Sequence, residues 1–191
     1  MEKKKLIIAL SGKKRSGKDT VADYLVERFG FVKYGFADPI KEIGKIMFDF
    51  SDEQLNTDKK EEIDKRWGIS PRQFMQRFGT DYGQFVFPKH FPEIFKNINK
   101  RDFWLKRFDI WYQKQDNLKI VISDVRFLHE FEHLKKKEAY IFRVKRKILE
   151  NKDGHISENE LDLMDDDNFN LIINNDFSKE ELYKFIEESI R

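Results

Sequence analysis

Cysteine is absent from the 191 residues. No disulfide, thiolate nucleophile or cysteine-ligated zinc is therefore open to this chain. Proline and glycine are sparse, at 4 and 9 residues, and no Gly/Ser linker, low-complexity tract or internal repeat interrupts the sequence. Long apolar runs are missing as well. Near the start, Leu6 to Leu10 is the longest, whereas a secretory leader needs about 7–15 apolar residues and a membrane helix about 20. No leader or membrane partner is expected, and cytoplasmic residence is the default (the host cytoplasm, for a viral chain). Charge of one sign is also lacking. With 37 Lys+Arg against 35 Asp+Glu the net charge is +2, which argues against a protein that coats nucleic acid.

What is present is a charged, Phe-rich chain: 38% charged, 39% hydrophobic, with 19 Phe. That excludes wholesale disorder. The length suits one domain, perhaps with an inserted subdomain. It allows about 70% of the unfolded surface to be buried without a metal or disulfide staple.

Elements alternate along the chain. Lys5 to Leu10 is a short continuous apolar run, expected for a strand covered on both faces. Val21, Ala22, Leu25, Val26 and Phe29 then recur at helical spacing, and Gly30 stops the helix. Val32 to Phe36 reads as a second strand, and Asp38-Pro39 as an N-cap with proline at the first helical position. The stretch from about 40 to 115 reads as wholly helical. In it, Ser70-Pro71-Arg72-Gln73 is a capping box that opens a helix over 70–81. Strands are predicted again at Lys119 to Ser123, Ala139 to Val144 and Phe169 to Ile173. A helix is expected over 128–137, and Ser178 with Glu181 caps a C-terminal helix. This pattern predicts an α/β fold: a parallel sheet of about five strands with helices on both faces, a core over about 1–40 and 116–191, and a helical insert over about 40–115. The polar, acidic stretch 146–168 suits a mobile lid.

The strongest chemical signal is Gly12-Lys13-Lys14-Arg15-Ser16-Gly17-Lys18-Asp19-Thr20-Val21. Gly12, Gly17 and Lys18 have the G-x-x-x-x-G-K spacing, between a strand and an amphipathic helix. Backbone N–H groups of such a loop curl around phosphates, and the helix N-terminus adds about half a positive charge. Lys18 supplies a cation for the β/γ-phosphates of a nucleotide such as ATP. One departure stands out. Asp19 occupies the place of the usual Ser/Thr, with Thr20 one position later. Asp19 could reach magnesium directly or through water, and Thr20 could contact a phosphate.

Four segments together resemble the bacteriophage deoxynucleoside monophosphate kinases, within the P-loop nucleoside monophosphate kinase-like group. They are SGKKRSGKDT at 11–20, PRQFMQRFGTD at 71–81, ISDVRF at 122–127 and HISE at 155–158. The resemblance implies a P-loop NTPase three-layer sandwich with an acceptor-binding insert and a lid. It also implies magnesium-dependent phosphoryl transfer from ATP to a deoxynucleoside 5′-monophosphate (dNMP), with a homodimer as one option for assembly. Such a transfer needs positioning and charge neutralisation rather than a general base.

On this reading Lys14 and Arg15 help hold the acceptor, as the resemblance implies. Asp38, at a strand's carboxyl end, could orient it, or serve simply as a helix cap. Arg72 and Gln76 are four apart and share a helix face. A guanidinium there can grip a phosphate and an amide can read a base edge. Gly79 would allow close approach, beside Thr80 and Asp81. Trp104 could stack on the base or lie in the core. Asp124, ending a strand, could hold magnesium, and Arg126 could neutralise phosphate charge. Arg143 and Arg146 could be lid cations that meet the transferring group, though Lys145 and Lys147 beside them also suit a plain basic surface. His155 and Glu158 are candidates on resemblance alone. His129-Glu130-Phe131-Glu132-His133 matches the zinc-protease spacing H-E-x-x-H, but a solvated crossover helix explains it better. Two alternatives stay open: a kinase of another phosphorylated acceptor such as phosphomevalonate or dephospho-coenzyme A, and a non-catalytic nucleotide-binding module.

Overall fold

Apolar runs and amphipathic segments alternate through most of the chain, and the computed structural model, which describes residues 5–147 and 160–190, shows what they build. In chain order the elements are β1 (Leu6–Ser11), α1 (Lys18–Phe29), β2 (Val32–Tyr34), α2 (Asp38–Phe48), α3 (Asp52–Asn56), α4 (Pro71–Gln76), a π-helix (Arg77–Val86), α5 (Phe87–His90), α6 (Phe103–Gln113), β3 (Lys119–Val125), α7 (Leu128–Lys136), β4 (Tyr140–Lys145), β5 (Leu171–Asn174) and α8 (Lys179–Ile190). They divide into two units, Met1–Gly35 with Lys114–Arg191, and Phe36–Gln113.

The first unit is the sheet unit. Its five strands pair in the order β2-β3-β1-β4-β5, and every pairing is parallel. β1 is central, which is why its residues Ile7 to Leu10 are unbroken by polar side chains and buried. Val21, Ala22 and Leu25 of α1 and Leu182 and Ile186 of α8 pack with Ile8, Leu10, Val121, Val144 and Ile173 of the sheet in one cluster. Burying each of the larger aliphatic side chains contributes about 1.5–3 kcal/mol. This is the P-loop NTPase fold.

The register holds one irregularity that matters. Ala9 pairs with Ile122, but Ser11 pairs with Val125. β3 therefore carries one residue more than β1 between those pairs, a bulge at Ser123–Asp124. Bulges re-aim the side chain they carry.

The second unit is helical and aromatic. Phe74 packs on Phe48 and Phe50, with ring centroids 4.9 and 6.0 Å away, and Ile40, Leu55 and Trp104 complete the cluster. Ser70 opens α4 with the expected capping box. The single helix expected over 70–81 does not continue as an α-helix, however. After Gln76 the chain passes into ten residues of π-helix. Trp104 explains much of this. Its indole Nε1 donates to the Gly79 carbonyl at 2.8 Å, and inserted side chains of this kind distort the ladder of a helix.

Two further expectations need correction. Residues 62–69 are not helical: Asp64 and Ile69 form an isolated antiparallel bridge. Asp38 is the first helical residue rather than the cap, which is Ala37. Most of the lid stretch 146–168 lies outside the described residues.

Candidate functional site

β1 delivers the chain to residues 12–17 at the carboxyl end of the central strand, where open α/β sheets bind ligands. The loop needs its glycines. Gly12 has φ 142, and a Cβ there would sit 2.2 Å from the Val144 carbonyl oxygen. Gly17 has φ 102, and a Cβ there would strike the Asn175 amide nitrogen at 2.2 Å. Arg15 between them holds a left-handed φ of 62, a strained conformation for a residue with a side chain.

Lys18 folds back over the loop, its Nζ donating to the carbonyls of Gly12 and Lys13 at 2.7 and 2.8 Å. Ser16 is 1% exposed, and its hydroxyl has no hydrogen-bond partner among the described residues. The N-cap residue of α1 is Gly17, which has no side chain with which to cap it. An ammonium, an orphaned hydroxyl and an uncapped helix N-terminus converge on one short loop. That donor set fits a polyphosphate.

β3 ends beside this loop, since Ser11 and Val125 are paired. Its bulge presents Asp124, half-buried, and Arg126, also half-buried, follows. The turn into α7 is held by carboxyl groups. Glu130 Oε2 accepts the backbone N–H groups of Arg126 and Phe127 at 2.8 and 3.0 Å. Glu160 Oε2 accepts that of Leu128 at 2.9 Å. Burial pushes the Glu130 carboxyl up to about 8, and the charge of Asp124 acts in the same direction, against the two backbone N–H groups.

In the helical unit, Arg72 is buried at 8% exposure and Thr80 likewise, while Gln76 is half-buried and Asp81 exposed. Asp38 pairs with Lys41 at 3.3 Å. Trp104, expected as a base-stacking candidate, is 9% exposed within the aromatic cluster. Gly79 permits the close approach of Ile40, whose Cδ1 would lie 2.8 Å from an added Cβ.

A model of the deoxynucleotide monophosphate kinase family matches residues 5–56 and 42–186. The chain belongs to this family. A protein of Acanthamoeba polyphaga mimivirus, provisionally named a deoxynucleotide monophosphate kinase, is 36% identical over 188 residues, covering 95% of this chain and 94% of the relative. The deoxynucleotide monophosphate kinase of enterobacteria phage T4 is 27% identical, covering 97% of this chain and 98% of the relative. Among solved structures, TT1252 from Thermus thermophilus superposes with a TM-score of 0.52 at 14% identity, covering 98% of this chain and 97% of that one; this speaks to the fold alone.

For a deoxynucleotide monophosphate kinase, two expected site residues sit unexpectedly. Asp19, a candidate magnesium ligand, is ion-paired with Lys33 at 3.1 Å, and Lys33 also binds Asp23 at 2.9 Å. Arg143, expected as a lid cation, is 8% exposed. Its guanidinium stacks 4.0 Å above the Phe169 ring and donates to the Met164 carbonyl and Asp166 carboxylate, both at 2.8 Å, and to the Leu161 carbonyl. These contacts tie the 161–169 stretch to β4. Lys145 shares Asp166. Arg146 is exposed. His155 and Glu158 lie outside the described residues.

Sequence reasoning missed two residues. Asn175 donates its amide to the Ser16 carbonyl at 2.8 Å while its backbone N–H binds the Lys145 carbonyl at 2.8 Å. It pins the phosphate loop from the far end of β5. The one signal was its place: the polar run Asn174-Asn175-Asp176 starts at the last residue of β5, at the carboxyl end of the sheet where ligands gather. Glu130 was hidden inside the zinc-like H-E-x-x-H pattern.

Proposed function

We propose that this chain transfers the γ-phosphoryl group of ATP to a deoxynucleoside 5′-monophosphate, with magnesium, giving the diphosphate and ADP. Family membership supplies the reaction and acceptor class. The observation that carries the donor assignment is the phosphate loop: α1 begins uncapped behind Gly17, with Lys18 and the orphaned Ser16 hydroxyl beside it.

Each residue then has a task. Backbone N–H groups from Gly12 to Val21 receive the donor phosphates, and Lys18 leaves its loop carbonyls to meet the β- and γ-oxygens. Thr20 adds a hydroxyl. Asp124 would hold magnesium or its waters, a role suited to a single carboxylate because magnesium keeps most of its hydration. The ion, when bound, would neutralise negative charge on the donor phosphates. Arg126 neutralises charge on the acceptor side. Lys14 and Arg15 in the sheet unit, and separately Arg72, Gln76 and Asp38 in the helical unit, are the candidates for binding the acceptor. Asp19, held by Lys33, is left out of the metal site.

The test is ADP formation by the purified chain with ATP and magnesium, supplying dTMP, dGMP, dCMP, dAMP or non-nucleotide phosphorylated acids as acceptor. ADP formation is expected only when a dNMP is present. No turnover with any nucleotide acceptor would overturn the proposal.

A further inference from the structure

We propose that Glu130 is a positioning residue of the phosphoryl-transfer site: its buried carboxyl fixes the backbone of Arg126 and Phe127, and thereby where Asp124 and Arg126 present their side chains. The proposal rests on the phosphoryl-transfer reading above.

Two helices begin just past neighbouring strands of the sheet, and their N-termini are treated oppositely. At α1 the N-cap is Gly17, which offers no side chain to the first N–H groups of the helix. At α7 three consecutive N–H groups, those of Arg126, Phe127 and Leu128, are all taken by glutamate oxygens. A free helix N-terminus attracts anions. Filling the one at α7 with the chain's own carboxyls leaves α1 as the place for the donor phosphates. Glu130 is 5% exposed, and burying a polar group of that kind is costly unless its hydrogen bonds are made. The cost is recovered through two backbone N–H groups that sit two and three residues beyond Asp124 in the bulge. The bulge re-aims Asp124, and Glu130 keeps the chain after it from relaxing. This also accounts for the H-E-x-x-H pattern, whose glutamate turns onto backbone rather than outward as a base.

The test compares Glu130→Gln, Glu130→Asp and Glu130→Ala in the full chain by two readouts: amide exchange at Arg126 and Phe127, and steady-state kinetics with ATP and a dNMP. Glutamine keeps an acceptor oxygen in place, so slow amide exchange and a kcat within about threefold of wild type are expected. Alanine removes the acceptor and aspartate withdraws it by a methylene. Both should speed exchange and lower kcat by about tenfold to a hundredfold, as loss of an orienting partner does. The KM for ATP should stay within about twofold, because the phosphate loop is untouched.

Full kcat in Glu130→Ala, or Glu130→Gln as slow as Glu130→Ala, would overturn the assignment. So would amides that stay protected after truncation. Should the alanine variant not accumulate as folded protein, the aspartate variant and wild-type exchange decide: wild-type amides at 126 and 127 exchanging at open-chain rates would end the proposal. Failure of the kinase reading is distinguishable, because it appears as no turnover by the wild type and leaves the exchange measurements intact.

Discussion

Each unit of the chain buries a carboxyl, Glu130 in the sheet unit and Asp64 in the helical unit, at 5% and 8% exposure. Among the described residues Glu130 accepts from backbone N–H groups, with the charges of Asp124 and Arg126 nearby, and burial raises it. Asp64 meets Arg66, whose Nε and Nη2 donate at 3.0 and 2.8 Å, and Gln54, which donates at 2.9 Å. The Arg66 contacts hold the Asp64 carboxyl well below the usual carboxylate range, with help from Gln54. Arg66 also reaches Asp49 at 2.9 Å, so the pair ties the non-helical 62–69 stretch to the end of α2. The two carboxyls shift in opposite directions because hydrogen bonds from Arg66 and Gln54 outweigh the modest desolvation of Asp64, whereas Glu130 is more fully desolvated and the peptide N–H groups beside it do not offset that. The sheet unit keeps its structural carboxyl close to neutral beside the phosphate site. The helical unit spends a charge pair on holding a loop.

The largest effect expected is in the sheet unit. Lys18→Ala should lower turnover by about a thousandfold or more, as loss of a charge-stabilising group does, with a thermal melt close to wild type. Retained rate would contradict its role. Next comes the helical unit's core. Trp104→Ala should cost about 3–5 kcal/mol in urea unfolding. Trp104→Phe should cost about 1–3 kcal/mol, by leaving the Gly79 carbonyl unpaired, with the acceptor KM unchanged. A raised acceptor KM without lost stability would restore a stacking role. Arg72→Lys should raise the apparent acceptor KM by about tenfold and leave that for ATP alone, since an ammonium lacks the planar fork. A change in the ATP constant alone would break the division of labour between units.

The smallest effects are in pH dependence, and they run in opposite directions. The folded value for Glu130 lies above its ordinary 4.5, so its stabilising share is whole below pH 4.5 and is lost as pH rises through about 8. The folded value for Asp64 lies below its ordinary 3.8, so its share is present above pH 3.8 and is lost as pH falls further. Melts across pH should show Glu130→Gln flattening the alkaline limb and Asp64→Asn flattening the acid limb. The reverse assignment would undo the comparison.

Much of the sheet unit was legible. Five apolar runs mark the strands, and Gly12, Gly17 and Lys18 mark the loop, because strand burial and phosphate cradling both impose local patterns. The helical unit was less so. Its elements were visible as helices, but the π-helix over Arg77–Val86 depends on Trp104 reaching Gly79 across 25 residues. Nothing in the spacing around Arg143 announces Phe169, Leu161 and Met164, which its guanidinium meets. Asn175 reaches Ser16 across 159 residues, so no local pattern could pair them.

Taken alone, the order of amino acids settled the alternation of strands and helices and the phosphate-loop chemistry, because hydrophobic period and glycine placement act over a few neighbouring residues. The folded arrangement alone decided which polar groups meet: Asn175 with Ser16, Arg143 with the 161–169 stretch, and Glu130 with the N–H groups of residues 126 and 127. A hydrogen bond is chosen by distance in space, and the chain's linear order carries almost none of that information.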